Sequence, residues 1–143
     1  MGKIFMVSLA SMFGILGVAA LSGCSKEDAA AKKVDVSAMT EALKSGGSEA
    51  RENACVELAK AGPRAAPAVA ALIPLLKDND AEIRRLAAYA LGEIGPQAKA
   101  ALPALAELAN DPERRVVMQV VNSLRSIDPK NYSGLKNETS TAP

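Results

Sequence analysis

The 143-residue chain contains no histidine and no tryptophan, and its aromatics are two tyrosines and two phenylalanines. Without histidine, a zinc site of His type, a histidine general base and a His-activated nucleophile are all excluded. Two cysteines, Cys24 and Cys55, are too few for a thiolate metal cluster or for a dense disulfide framework. There is no glycine-rich phosphate loop; Gly46-Gly47 reads as a break between helices, with Ser48 as the cap of the next one. Carboxylates crowd only at Asp78, Asp80 and Glu82, where an acidic helix start serves free amides and the helix dipole. An excess of one charge is missing too, since 17 Lys and Arg face 16 Asp and Glu, and with it the footprint of a nucleic-acid or anionic-lipid binder. These absences predict a chain with no catalytic residues, no metal ligands and no cofactor, and therefore no enzyme. It should work by contact.

What is present begins with "IFMVSLASMFGILGVAALSG" at residues 4–23, an uncharged run preceded by Lys3 and followed abruptly by "SKEDAAAKK". That is the layout of an export signal. The order Leu21-Ser22-Gly23-Cys24 at its end resembles the lipobox of bacterial lipoproteins. The resemblance implies a signal peptide over residues 1–23, cleavage between Gly23 and Cys24, and lipidation of Cys24, whose thiol takes a diacylglycerol and whose new amine is acylated. Several acyl chains on one residue anchor stably where a single chain would be marginal. The mature chain is then expected in the bacterial cell envelope, lipid-anchored on the exported side of a membrane. Ser25 resembles the outer-membrane sorting choice of enteric bacteria. An uncleaved membrane span is the competing reading, since about 20 apolar residues suffice, but Ser8, Ser11, Gly14, Gly17, Ser22 and Gly23 dilute the run. A disulfide at Cys24 would have only Cys55 as its partner.

The remaining chain is formally neutral and repeats itself. A shift of 33 residues superimposes Gly62-Pro63, Gly95-Pro96 and Asp128-Pro129, together with Leu58, Leu91 and Leu124. Ala54, Ala87 and Val120 coincide without a gap, as do Ala50, Ile83 and Val116, and Val36, Met39 and Leu43 fall on Val69, Leu72 and Leu76. A fixed period of this length marks a repeat architecture.

Each unit divides at its Gly-Pro. Before it, "AEIRRLAAYALGEIG" sets Ile83, Ala87, Ala90, Leu91 and Ile94 on one helical stripe. Gly95 can supply the left-handed residue that ends this helix, and Pro96 can begin the next. Beyond it, Leu102, Leu105 and Leu108 form a second stripe, although Pro74 and Pro103 each remove a backbone donor inside these second helices and should bend or delay them. The pattern predicts six helices, near 36–45, 48–61, 64–77, 80–94, 97–109 and 113–127. Residues 24–35 read as the lipidated cysteine and a polar tether reaching roughly 40 Å when fully extended. Residues 36–129 read as the repeat domain, and 130–143 as a polar, disordered tail.

The segment "DAEIRRLAAYALGEIGPQAKAALPALAELANDPE" resembles a HEAT repeat of the short, Ala-rich type also found in phycobilin lyases, and the resemblance extends over about residues 36–129. It implies an all-α fold, a short right-handed α-solenoid of about six helices, HEAT-like or armadillo-type. In that family an Asp after the second helix and an Arg six residues on form a ladder between repeats. Asp78, Arg84 and Asp111 match, but Val117 stands where the next Arg belongs, which leaves the stacking of the last unit in doubt.

That last helix, "RRVVMQVVNSLRSIDP", carries more apolar surface than one stripe uses. Val116, Val120 and Leu124 hold core register. Val117, Met118 and Val121 do not all fit it, so either Tyr132 and Leu135 fold back over them, or β-branched residues are simply tolerated there, or they form a patch for a partner or for pairing two copies. Cys55 aligns with Ala88 and Val121 and reads as a small, semi-buried apolar residue rather than a reactive thiol. The expected function is a membrane-anchored, non-catalytic interaction scaffold whose partner is another envelope protein and whose only non-protein group is the lipid on Cys24. The alternatives are a self-associating envelope component working as a homo-oligomer, and an enzyme subunit related to the lyases. The second would need a polar, aromatic-lined groove that the composition does not supply.

Overall fold

The computed structural model describes residues 34–135, so Gly23, Cys24, the expected signal peptide and most of the tether lie outside the described residues. Helix α1 (Val36–Ser45) begins where the Asp35 carboxylate accepts hydrogen bonds from the amides of Ser37 and Ala38, at 3.0 and 3.2 Å. Those amides have no partner within the helix, so the cap fixes its start. Helix α2 (Ser48–Ala61) follows after two glycines. Its cap position is Gly47 rather than Ser48, whose hydroxyl donates sideways to Glu52 and Asp80 at 3.4 Å.

Helices α2, α4 (Ala81–Ile94) and α6 (Arg114–Ile127) are each 14 residues long and occupy the same register of the 33-residue unit. Equal length lets them lie side by side, and α4 packs between α2 and α6. Two of them end at glycines with positive φ, Gly62 at 57° and Gly95 at 71°. Their ψ values, −134° and −141°, complete a conformation that a Cβ makes costly.

The second helix of each unit is less regular than its periodicity predicts. In place of one helix over 64–77, a 3₁₀ stretch (Gly62–Ala68) leads into the four-residue α3 (Val69–Leu72) and a second 3₁₀ stretch (Ile73–Lys77). Pro67 and Pro74 each lack the amide that α-helical bonding needs, so the tighter 3₁₀ form takes over around them. In the next unit a 3₁₀ stretch (Gly95–Ala101) precedes α5 (Leu102–Leu108), with Pro103 accommodated in the first turn of α5, where its amide would be unbonded anyway.

The expected disordered tail begins too early at residue 130. Pro129–Tyr132 forms a last turn, α7, whose start Asp128 caps through the Asn131 amide at 3.3 Å and the Asn131 Nδ2 at 2.6 Å. Asp128-Pro129 sits at the Gly-Pro register, so α7 lies where the second helix of a unit begins. Tyr132 packs on the core from there.

The core is the seam between first and second helices. Ile83, Ala87, Ala90, Leu91 and Ile94 of α4 are buried, as are Leu58, Leu72, Leu105, Val116, Val120 and Leu124. Alanine is as frequent as leucine among the buried residues, so the helices approach closely where alanines meet, and those contacts remove modest apolar area, at roughly 25 cal/mol per Å². The described residues contain no β-strand, and none of their helices is long and apolar enough to cross a membrane.

Candidate functional site

Between neighbouring first helices runs a ladder of charge. Arg84 on α4 donates from Nε to Asp111 Oδ2 at 2.7 Å and from Nη2 to Asp111 Oδ1 at 3.1 Å. Its Nη1 donates to the carbonyls of Asp78 and Asn79, at 2.7 and 3.0 Å, so one guanidinium ties the end of one unit to the end of the next. Asp111 is only 4% exposed and Arg84 12%. The hydrogen bond from Arg84 holds the Asp111 carboxyl below its ordinary value against the opposing pull of burial, and the same bond raises Arg84.

A first rung, invisible to a search for Asp followed six residues on by Arg, joins Arg51 Nη1 on α2 to Asp78 Oδ2. Arg51 occupies the register of Arg84, and Asp78 that of Asp111. The signal was available, because each Arg precedes its Asp by 27 positions. Each Asp also closes a turn at the following helix: Asp78 Oδ1 accepts from the Asp80 amide at 3.0 Å, and Asp111 Oδ1 from the Glu113 amide at 2.8 Å. Asp80 in turn caps α4 through the Glu82 amide at 2.8 Å. The acidic cluster at 78–82 is thus spent on caps, the rung and the Glu82–Arg85 pair.

Val117 does not disrupt the last unit. The stacking of α6 on α4 does not depend on that position, because the Arg84–Asp111 rung and two serines hold this seam. Ser123 Oγ donates to the Ala88 carbonyl at 2.6 Å and Ser126 Oγ to the Gly92 carbonyl at 2.7 Å. Gly92 makes room for this, since a Cβ there would lie 2.8 Å from Ser123 Oγ. Nothing in the apolar pattern points to these serines. The register marks one of them, because Ser123 falls where Ala90 is buried, whereas Ser126 falls on exposed Glu93.

Of the three residues left over on the last helix, Val117 and Val121 are half-buried and Met118 is exposed. Met118 and Tyr89 are both 38% exposed. Met118 lines a groove of about 340 Å³ between α4 and α6, with Glu82, Arg85, Arg115, Gln119 and Asn122 around it. Arg85 is held by Glu82 in a two-point ion pair. Leu135, the other candidate cover for the patch, is itself exposed.

Cys55 is fully buried on α2, deeper than its reading as a semi-buried residue, and burial pushes its thiol up to about 12 despite nearby Arg51. Among the described residues no group of His, Cys, Asp or Glu is placed to hold a metal ion. Compared with known families, residues 36–125 match the model described as HEAT repeats. No curated protein and no solved structure matches the chain.

Proposed function

Because the chain belongs to the HEAT-repeat family across residues 36–125, we propose that it is a non-catalytic protein-interaction scaffold, held at a bacterial membrane by lipid on Cys24. The observation that carries the contact surface is the face shared by α4 and α6. There Met118 stands exposed in a groove ringed by polar and charged side chains, while half-buried Val117 and Val121 lie outside its lining. An apolar centre with a polar rim suits a modest protein interface. The occupant we propose is another exported envelope protein. The "LSGC" sequence supports the anchor, which supplies location while the tether supplies reach.

The test is crosslinking in intact cells, then affinity purification and mass spectrometry, comparing the native chain with Cys24→Ala and with Met118→Lys/Asn122→Lys, two residues that line the groove. The expected result is an envelope protein recovered with the native chain and lost with either variant. Recovery of cytoplasmic proteins from both the native and the Cys24→Ala chain would overturn the anchor. Unchanged recovery with the double lysine variant would move the partner off this surface. Recovery of the chain alone would favour the self-associating alternative.

A further inference from the structure

The two seams between first helices carry opposite charge. The groove at the α4–α6 seam is lined by Glu82, Arg85, Arg115, Met118, Gln119 and Asn122. A shift of 33 residues puts Glu49, Glu52, Glu82, Arg85, Leu86 and Tyr89 at the same register of the α2–α4 seam. Arg85 and Arg115 outnumber Glu82 in the first set, whereas Glu49, Glu52 and Glu82 outnumber Arg85 in the second. Helix α6 sharpens the contrast, since it contains Arg114, Arg115 and Arg125 and no carboxylate.

Within the groove one positive charge is left over. The hydrogen bond from Arg85, helped by the nearby charge of Arg115, holds the Glu82 carboxyl below its ordinary value, so Glu82 stays ionised at neutral pH and offsets one arginine. Arg115 is exposed, and its guanidinium makes no ion pair or hydrogen bond among the described residues. Beside it Met118 offers an apolar contact. Gln119 Nε2 donates to Ser123 Oγ at 3.3 Å, which leaves its amide oxygen to accept, and exposed Asn122 can both donate and accept. A free cation, an apolar floor and unspent amides are the complement of a peptide segment that carries a carboxylate next to an apolar side chain.

Resting on the reading of this face as the contact surface, we propose that the α4–α6 groove selects an acidic segment of the partner protein, in which an aspartate or glutamate meets Arg115 and a neighbouring apolar side chain covers Met118. The adjoining seam enforces the register. A partner displaced by one unit would set its carboxylate against Glu82 in place of Arg115 and its apolar side chain on Arg85 in place of Met118, with Glu49 and Glu52 alongside. Like-charge contact there rejects the displaced position as firmly as Arg115 favours the correct one.

The test uses the full chain in non-ionic detergent, titrated by fluorescence anisotropy with two labelled octapeptides, one alternating glutamate with leucine and the other lysine with leucine. The native chain should bind the glutamate peptide about fivefold more tightly than the lysine peptide, a margin that shrinks as salt rises. Arg115→Glu should abolish that preference, and Met118→Ala should weaken the glutamate peptide while keeping its salt dependence. Circular dichroism reports whether the variants are folded, and Arg115→Gln gives the same readout if the charge reversal is not. Equal binding of the two peptides by the native chain, or an unchanged preference in a folded Arg115 variant, overturns the proposal. In intact cells Arg115→Glu should lose the same crosslinked partner as Met118→Lys/Asn122→Lys. Loss with the groove pair but not with Arg115→Glu leaves the scaffold reading standing and overturns the acidic partner; loss with neither overturns both.

Discussion

Removing the Asp111 carboxylate should be among the most damaging single changes in the array. Asp111→Ala strands Arg84, leaving its Nε and Nη2 without their acceptors in a site where the arginine is 12% exposed, and deletes the turn bond from the Glu113 amide. Breaking a buried ion pair from one side costs about 3–5 kcal/mol. A domain of this kind has roughly 5–15 kcal/mol in total. The urea midpoint should fall accordingly, and Tm should drop by about 12 °C or more at roughly 4–8 °C per kcal/mol. The rung at Arg51–Asp78 is the internal control. Arg51 is 28% exposed, so water can replace part of what is lost, and Asp78→Ala should cost about 1–3 kcal/mol. Adding Arg84→Met to Asp111→Ala should cost less than the sum of the two, because no charge is then left stranded. The pH dependence has a definite sign. Asp111 titrates below its ordinary 3.8 when folded, so the rung contributes fully above that value and its contribution is lost as pH falls through the lower folded value. Asp111→Asn should flatten that part of the acid limb. If Asp111→Ala costs under about 1 kcal/mol, or no more than Asp78→Ala, the ladder is ornament and the seams hold by apolar packing alone.

Gly92→Ala sets a steric loss of about 1–3 kcal/mol against a helix-propensity gain of about 1. Urea unfolding should therefore show a net loss that Ser123→Gly partly rescues, and a stabilised variant would contradict the close crossing. Gly95→Ala meets no atom within 4 Å, so its expected cost of about 1–3 kcal/mol is backbone strain alone; an unchanged melting temperature would refute that. Cys55, with its thiol pushed up to about 12, should resist alkylation at pH 8 until the chain unfolds. Fast labelling of folded protein would place the thiol at the surface.

Much of this architecture was readable because the repeat states it three times. The bounds of α1 and α2 follow from apolar spacing and the flanking glycines, and those of α4 and α6 agree within one residue. The second helices were harder, since Pro67 and Pro74 left the apolar stripe intact while removing the donors on which an α-helix depends. Arg51 was missed because its ladder partner lies in the next unit and Ser45 hides the local Asp-Arg spacing. Ser123 and Ser126 carry no composition signal, and only a structure shows that their hydroxyls reach the carbonyls of α4. α7 was marked by its Asp-Pro register but hidden by the polar residues after it.

The cross-helix hydrogen bonds of the ladder and of the serine seam join residues only 27 to 35 positions apart. No segment must therefore wait for a distant strand of sequence before it can settle. α2 has its rung as soon as Asp78 exists, and α4 as soon as Asp111 does. Such a chain can assemble in the order in which it is threaded out, each unit templating the next.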